Sequence, residues 1–165
     1  MAEHARPAVN PLAQALGRIP SGLYILTVRS GEKATGLLAS WVQQAGFEPP
    51  MITIAVQRDR FVGDWIAESG RFTLNQIAIG GKGLIRHFSR GFSPDEPAFE
   101  GLEVLPDRAQ GGPVLEAAMA YLDAELAGEI VSGDHRIILA RVVGGDVLSA
   151  EAEPLKHVRS NGFHY

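Results

Sequence analysis

Short apolar runs, broken repeatedly by glycine, proline and charged residues, predict many brief elements rather than a few long ones. Residues 11–16 suit a short helix with Asn10 as its N-cap, Pro11 in the first turn and Gly17 as its stop. Residues 22–28 are nearly continuous in apolar, β-forming side chains, and Ser30-Gly31-Glu32-Lys33 supplies a hairpin turn into a partner strand beginning near Ala34. Pro49-Pro50 interrupts the chain before another apolar strand at 51–56, and these runs read as buried on both faces. The period then changes: Phe61, Val62, Trp65 and Ile66 form an apolar helical stripe over 60–69, with Gly70 as its C-terminal stop. Residues 72–75 return to strand, 83–88 suit a second short helix, and 89–97 read as a surface loop.

The remaining pattern decides the fold class. Between Ala117 and Leu126, apolar and polar positions alternate as in a half-buried strand, yet Leu115, Met119, Leu122 and Leu126 also fit one helical face. Propensity favours helix there and context favours strand. Residues 135–143 are a long β-rich run, with Gly144-Gly145-Asp146 as the turn that follows. About five or six strands and two or three short helices, without regular strand–helix alternation, predict a mainly β, antiparallel barrel with appended helices.

Composition narrows the chemistry. A chain of 165 residues allows one domain, and folding it buries roughly 70% of the surface exposed when unfolded. The expected organisation is a loose arm over 1–10 and a single domain over 11–165. There is no cysteine, which excludes disulfides, zinc–thiolate sites, iron–sulfur clusters and thiol nucleophiles. A bound organic cofactor still permits redox chemistry. The net charge of −4 is spread without a basic stripe, which argues against nucleic acid or an anionic membrane as partner. The first residues lack the charged and apolar stretches of a leader, and no window approaches the ~20 apolar residues of a membrane span, so the expected location is the cytoplasm.

Phosphate-loop, dinucleotide-fingerprint, nucleophile-elbow and His-Glu-x-x-His patterns are absent, and five histidines are too scattered to form a metal cluster by spacing. One stretch stands out: residues 35–44 mix small and hydroxyl side chains with apolar ones just after the hairpin. Small side chains let a flat ligand approach the backbone; the same pattern also fits an ordinary strand with tight neighbours. Gly133-Asp134-His135 delivers a histidine at the start of a strand, where it either caps a turn or gives a ligand a hydrogen bond or a proton. Arg58 and Arg60 follow a buried strand and are placed either in solvent or against a phosphate. Trp41 is available for stacking, whereas Trp65 belongs to the helical stripe. His87 ends a short helix, where its charge also suits the helix dipole.

Taken in order, several segments resemble the flavin reductase-like family. They are residues 15–27, Leu38-Ala39-Ser40-Trp41 with the following residues to Pro50, residues 55–60, Phe72-Thr73-Leu74-Asn75, His87-Phe88, Gly133-Asp134-His135 and the tail from Arg159 to Tyr165. The nearest likeness is to the flavin reductase domain at the C-terminus of cyanobacterial flavodiiron proteins.

The resemblance implies an FMN-binding split barrel, homodimeric, with the flavin near the subunit interface. It implies hydride transfer from NADH or NADPH to that flavin and onward passage of electrons to a separate acceptor, such as a redox partner protein. By position, Leu38, Ala39, Ser40 and Trp41 would line the isoalloxazine and ribityl chain. Arg58 and Arg60 would face the phosphate, Asn75 would support the pocket, His87 would belong to the cofactor site, and His135 would be the catalytic residue beside flavin or nicotinamide. Many family members carry Thr-Ala-Ser-Ser where this chain has Leu38-Ala39-Ser40-Trp41, a departure that removes two hydroxyls and shifts phosphate binding onto other donors.

Overall fold

A computed structural model describes residues 10–164; of the expected N-terminal arm, residues 1–9 lie outside the described part. The first helix, α1 (Pro11–Gly17), starts where Asn10 accepts hydrogen bonds from the Leu12 and Ala13 amides. Strands β1 (Tyr24–Ser30) and β2 (Lys33–Ala39) form the expected hairpin. After them come β3 (Val42–Gly46), β4 (Met51–Gln57), α2 (Phe61–Ser69), β5 (Arg71–Gln76) and α3 (Lys82–Phe88). A small ladder of β6 (Val104–Leu105) and β7 (Val114–Leu115) precedes the long hairpin of β8 (Ala120–Ser132) and β9 (His135–Val147).

Seven strands pair antiparallel in the order β2-β1-β5-β8-β9-β4-β3. The two strands at the ends of this order are consecutive in sequence, joined only by Ser40 and Trp41. Two residues cannot span an open sheet of that width. The sheet therefore curls into a barrel whose seam is the Ser40–Trp41 link.

Burial follows the curl. Leu26, Val28, Ile54, Phe72, Leu74 and Ile138 fill the barrel, closed at one side by Val62 and Ile66 of α2. A second core packs Ile25, Ile77, Leu84, Phe88 and Leu115 beneath α3. Strand β1 lies between the two cores, with Leu26 and Val28 in one and Ile25 in the other, which explains its nearly continuous apolar run. Strand β4 does not: Ile52, Ile54 and Val56 are buried, while Met51, Thr53 and Ala55 on its other face are half-buried. The expectation of two buried faces is corrected for that strand.

Two other expectations change. Residues 120–126 are strand, because pairing with β5 and β9 on both sides outweighs the helix propensity of their alanines and leucines. Gly144-Gly145-Asp146 is not a turn but part of β9, where the register shifts beside Asp123. A side chain at Gly145 would strike the Tyr121 carbonyl, so that glycine serves close strand approach. Among the described residues, no helix is long and apolar enough to cross a membrane.

A strap that the sequence pattern did not reveal locks the barrel. Residues 110–115 cross β1, β5 and β8 so closely that side chains at Gly111 and Gly112 would strike the backbones of Phe72 and Thr27. Buried Asp123 accepts the amides of Gln110 and Gly111, each at 2.9 Å, and the Thr73 hydroxyl at 3.0 Å.

Candidate functional site

The seam opens into a cleft of about 500 Å³, within the range of small-molecule sites. The end of β2 and the Ser40–Trp41 link provide one border, and the end of β4, α3 and the tail segment Leu155-Lys156-His157 provide others. The lining is predominantly apolar. Among the described residues its charged side chains are Arg60 and Lys156, its titratable ones include His135 and His157, and no carboxylate side chain lines it. Such a cleft suits a flat, largely apolar ligand with an anionic end.

The structure brings six of the expected residues together here: Leu38, Ala39, Ser40, Trp41, Arg60 and His135. Ala39 and Ser40 are buried, whereas the Trp41 indole is 37% exposed at the rim. The Trp41 carbonyl accepts the Ala55 amide at 3.0 Å, tying the link to β4. Arg60 precedes α2 and donates from Nε to Gln57 Oε1 at 3.3 Å. The β8–β9 turn, with Gly133 at φ 60°, delivers His135 to the cleft. Its Nδ1 donates to Asp134 Oδ1 at 2.7 Å, and that bond holds the Asp134 carboxyl below the usual carboxylate range. The His135 ring lies 4.8 Å from Trp41, and the Arg159 guanidinium lies 5.0 Å from the same indole.

Three expected cofactor-binding residues stand elsewhere. Arg58 does not line the cleft; its amide donates to the Asp134 carbonyl at 2.9 Å and its guanidinium reaches the Gly133 carbonyl at 3.5 Å, so it braces the His135 turn. Asn75 is fully buried beneath the strap. Its Nδ2 donates to the Pro113 carbonyl at 3.2 Å and its Oδ1 accepts the Leu115 amide at 2.8 Å. His87 is one position along α3 from Phe88, about 100° around the helix, and its Nε2 donates to the Ala98 carbonyl at 2.7 Å. Phe88 lines the cleft while His87 anchors the following loop.

Sequence reasoning missed Lys156 and His157. No local pattern marks them, because the tail reaches the cleft through contacts distant in sequence, among them backbone pairing of His157 with Ser21 and of Pro154 with Ala78. A second cleft of about 610 Å³ shares Ser40, Trp41, Ala55, Leu155 and Lys156 with the first, so these residues border both.

Comparison with known proteins agrees with this architecture. The sequence profile of the flavin reductase like domain matches residues 16–164. Diflavin flavoprotein A 1 of Synechocystis sp. is 39% identical over 155 residues, which make up 93% of this chain and 27% of that protein. The chain thus spans little more than a quarter of the length of the curated relatives it matches. Among solved structures, the NADH:FAD oxidoreductase SgcE6 of Streptomyces globisporus superposes with a TM-score of 0.82 at 22% identity, covering 96% of this chain and 94% of that one. The styrene monooxygenase flavin reductase of Pseudomonas putida gives 0.74 at 22% identity, covering 89% and 91%. The structures share the mainly β, antiparallel split-barrel fold, and the chain belongs to the flavin reductase like domain family.

Proposed function

We propose that this chain binds FMN in the seam cleft, reduces it with NADH or NADPH, and passes the electrons to a separate acceptor. The observation that carries the reading is the cleft itself: an apolar slot bordered by a tight β-strand end, with Arg60 and Lys156 as its charged lining and, among the described residues, no carboxylate side chain to repel a phosphate. When bound, the flavin supplies an acceptor for the hydride of the nicotinamide.

The chain's own residues have the following roles. Arg60 and Lys156 hold the phosphate. Leu38, Ala39 and Ser40 allow the ring to approach the backbone, whose amides meet its polar edge. Trp41 walls off water at the rim. His135, oriented by Asp134 through Nδ1, presents Nε2 as the atom that gives or keeps a hydrogen bond at the ring. Arg58 holds the turn that carries His135, and Asn75 supports the site only through the strap. Proximity of two flat rings carries most of the rate, so no nucleophile is required. The same reading makes the protein a cytoplasmic homodimer that uses nicotinamide and flavin and has a distinct redox partner.

The exposed indole of Trp41 also favours a second reading, in which it crowds the nicotinamide and the chain holds FMN for electron transfer without efficient reduction by NADH or NADPH. Titration of the purified protein with FMN, followed by absorbance and flavin fluorescence, tests what the two readings share. Saturable binding at micromolar FMN is expected. No binding would refute both.

A further inference from the structure

Residues 153–162 form a strap fixed at several points. The Ile79 amide donates to the Glu153 carbonyl at 2.8 Å and the Leu155 amide to the Ile77 carbonyl at 3.1 Å. Ser21 and His157 exchange two backbone bonds, at 3.0 and 2.7 Å. Beyond them, the Arg159 amide donates to the Gly17 carbonyl at 2.9 Å and the Gly162 amide to the Ala13 carbonyl at 2.6 Å. The contact with α1 is so close that a side chain at Gly17 would strike the Arg159 carbonyl and one at Gly162 would strike Leu16.

This clasp fixes the backbone of Arg159 before its side chain makes any contact, so little further order is lost when the guanidinium settles near Trp41. The Trp41 indole is one of the groups it meets. Trp41 follows β2, lies between strands rather than within one, and leaves 37% of its surface exposed. Its backbone is tied to Ala55, but that bond does not select a rotamer for the indole. The guanidinium 5.0 Å from the ring on the tail and the His135 imidazole 4.8 Å from it on the β8–β9 hairpin both contribute to selecting one. Arginine suits the task because its planar cation stacks on an aromatic face, which a lysine ammonium does less well.

We propose that Arg159 is a positioning residue of the flavin site: clasped to α1, it holds the Trp41 indole, and through it the His135 ring, at the mouth of the cleft. The inference rests on the flavin reading above and extends it to a residue that does not line the cleft. It also gives α1 a role, since the helix is the anchor against which the tail is drawn tight.

The test uses the full chain carrying Trp65→Phe, which leaves Trp41 as the sole tryptophan. Three quantities are compared in the parent, Arg159→Ala, Arg159→Lys and Gly162→Ala: acrylamide quenching of Trp41 without flavin, FMN affinity, and bleaching by nicotinamide at saturating FMN. Arg159→Ala is expected to expose the indole to quencher, weaken FMN about two- to five-fold, the scale of one exposed cation–π contact, and slow bleaching at saturation. Arg159→Lys restores part of each loss, and Gly162→Ala reproduces the defect with Arg159 intact. Unchanged quenching in Arg159→Ala, or greater quenching with unaltered affinity and rate, overturns the proposal. A parent that takes up no FMN overturns the underlying flavin reading, and any positioning role in that site falls with it.

Discussion

Trp41 and His135 meet with ring centroids 4.8 Å apart and planes inclined by 44°. One residue closes the barrel seam and the other begins β9, so their contact joins the two parts of the sheet that border the cleft. It is also where the proposed binding wall meets the proposed catalytic group, and the two roles are separable by substitution.

His135→Ala is expected to slow flavin bleaching by NADH or NADPH by roughly a hundred-fold, the lower end of the range for a positioned proton donor. FMN affinity should fall much less, because the charged contacts of the cleft remain. Single-turnover absorbance traces at several FMN concentrations separate the two effects. An unchanged rate at saturation would remove His135 from the reaction.

Arg60→Ala should loosen FMN by roughly 1.5–3 kcal/mol, the scale of a charge-assisted hydrogen bond to phosphate. Lys156→Gln should act in the same direction, and affinity in both variants should depend less on salt than in the parent. Arg58→Ala should leave FMN affinity nearly intact, since Arg58 stands outside the cleft. Calorimetric titration at two ionic strengths checks all three, and equal loss from Arg58 and Arg60 would contradict the assignment.

Asp123→Asn should destabilise the barrel without affecting flavin binding. The carboxylate accepts from two strap amides and the Thr73 hydroxyl; an amide in its place sets a donor against a donor and leaves a buried N–H unsatisfied. A cost of about 2–3 kcal/mol follows, or a melting point lower by roughly 5–10 °C for a chain of this size. Thermal unfolding followed by circular dichroism measures it.

Glu125 gives a pH-dependent contribution of known sign. Its hydrogen bond to Arg141, with the charge of Arg71 beside it, holds its carboxyl below the ordinary glutamate range. The folded state therefore favours the ionised form. The contribution is complete above the unfolded glutamate range and is lost as pH falls through the depressed folded value. Urea midpoints for the protein and for Glu125→Gln should differ near neutral pH and converge in acid. A gap that widens on acidification would reverse the sign.

Much of this architecture was legible in local pattern. Asn10 and Gly70 marked helix ends, and residues 35–44, singled out for small and hydroxyl side chains among apolar ones, contain the Ser40–Trp41 seam. Contacts across the fold were not legible. Arg58 and Arg60 are equivalent in sequence, yet only the second borders the cleft. Asn75 lies on the face of β5 opposite Phe72 and Leu74, where the strap, invisible to periodicity, takes up its hydrogen-bonding capacity. Lys156 enters the site by pairing of the tail with residues far earlier in the chain. The glycines at 144–145 read as a turn because glycine signals both reversal and close approach, and only the neighbouring strand distinguishes them.

The most direct test of the central claim is anaerobic stopped-flow mixing of the FMN-loaded protein with NADH and, separately, NADPH, followed through the flavin absorbance. Rapid, saturable bleaching by at least one nicotinamide is expected, with recovery of the colour when an electron acceptor is added. Protein that holds FMN but is bleached by neither nicotinamide would contradict that claim.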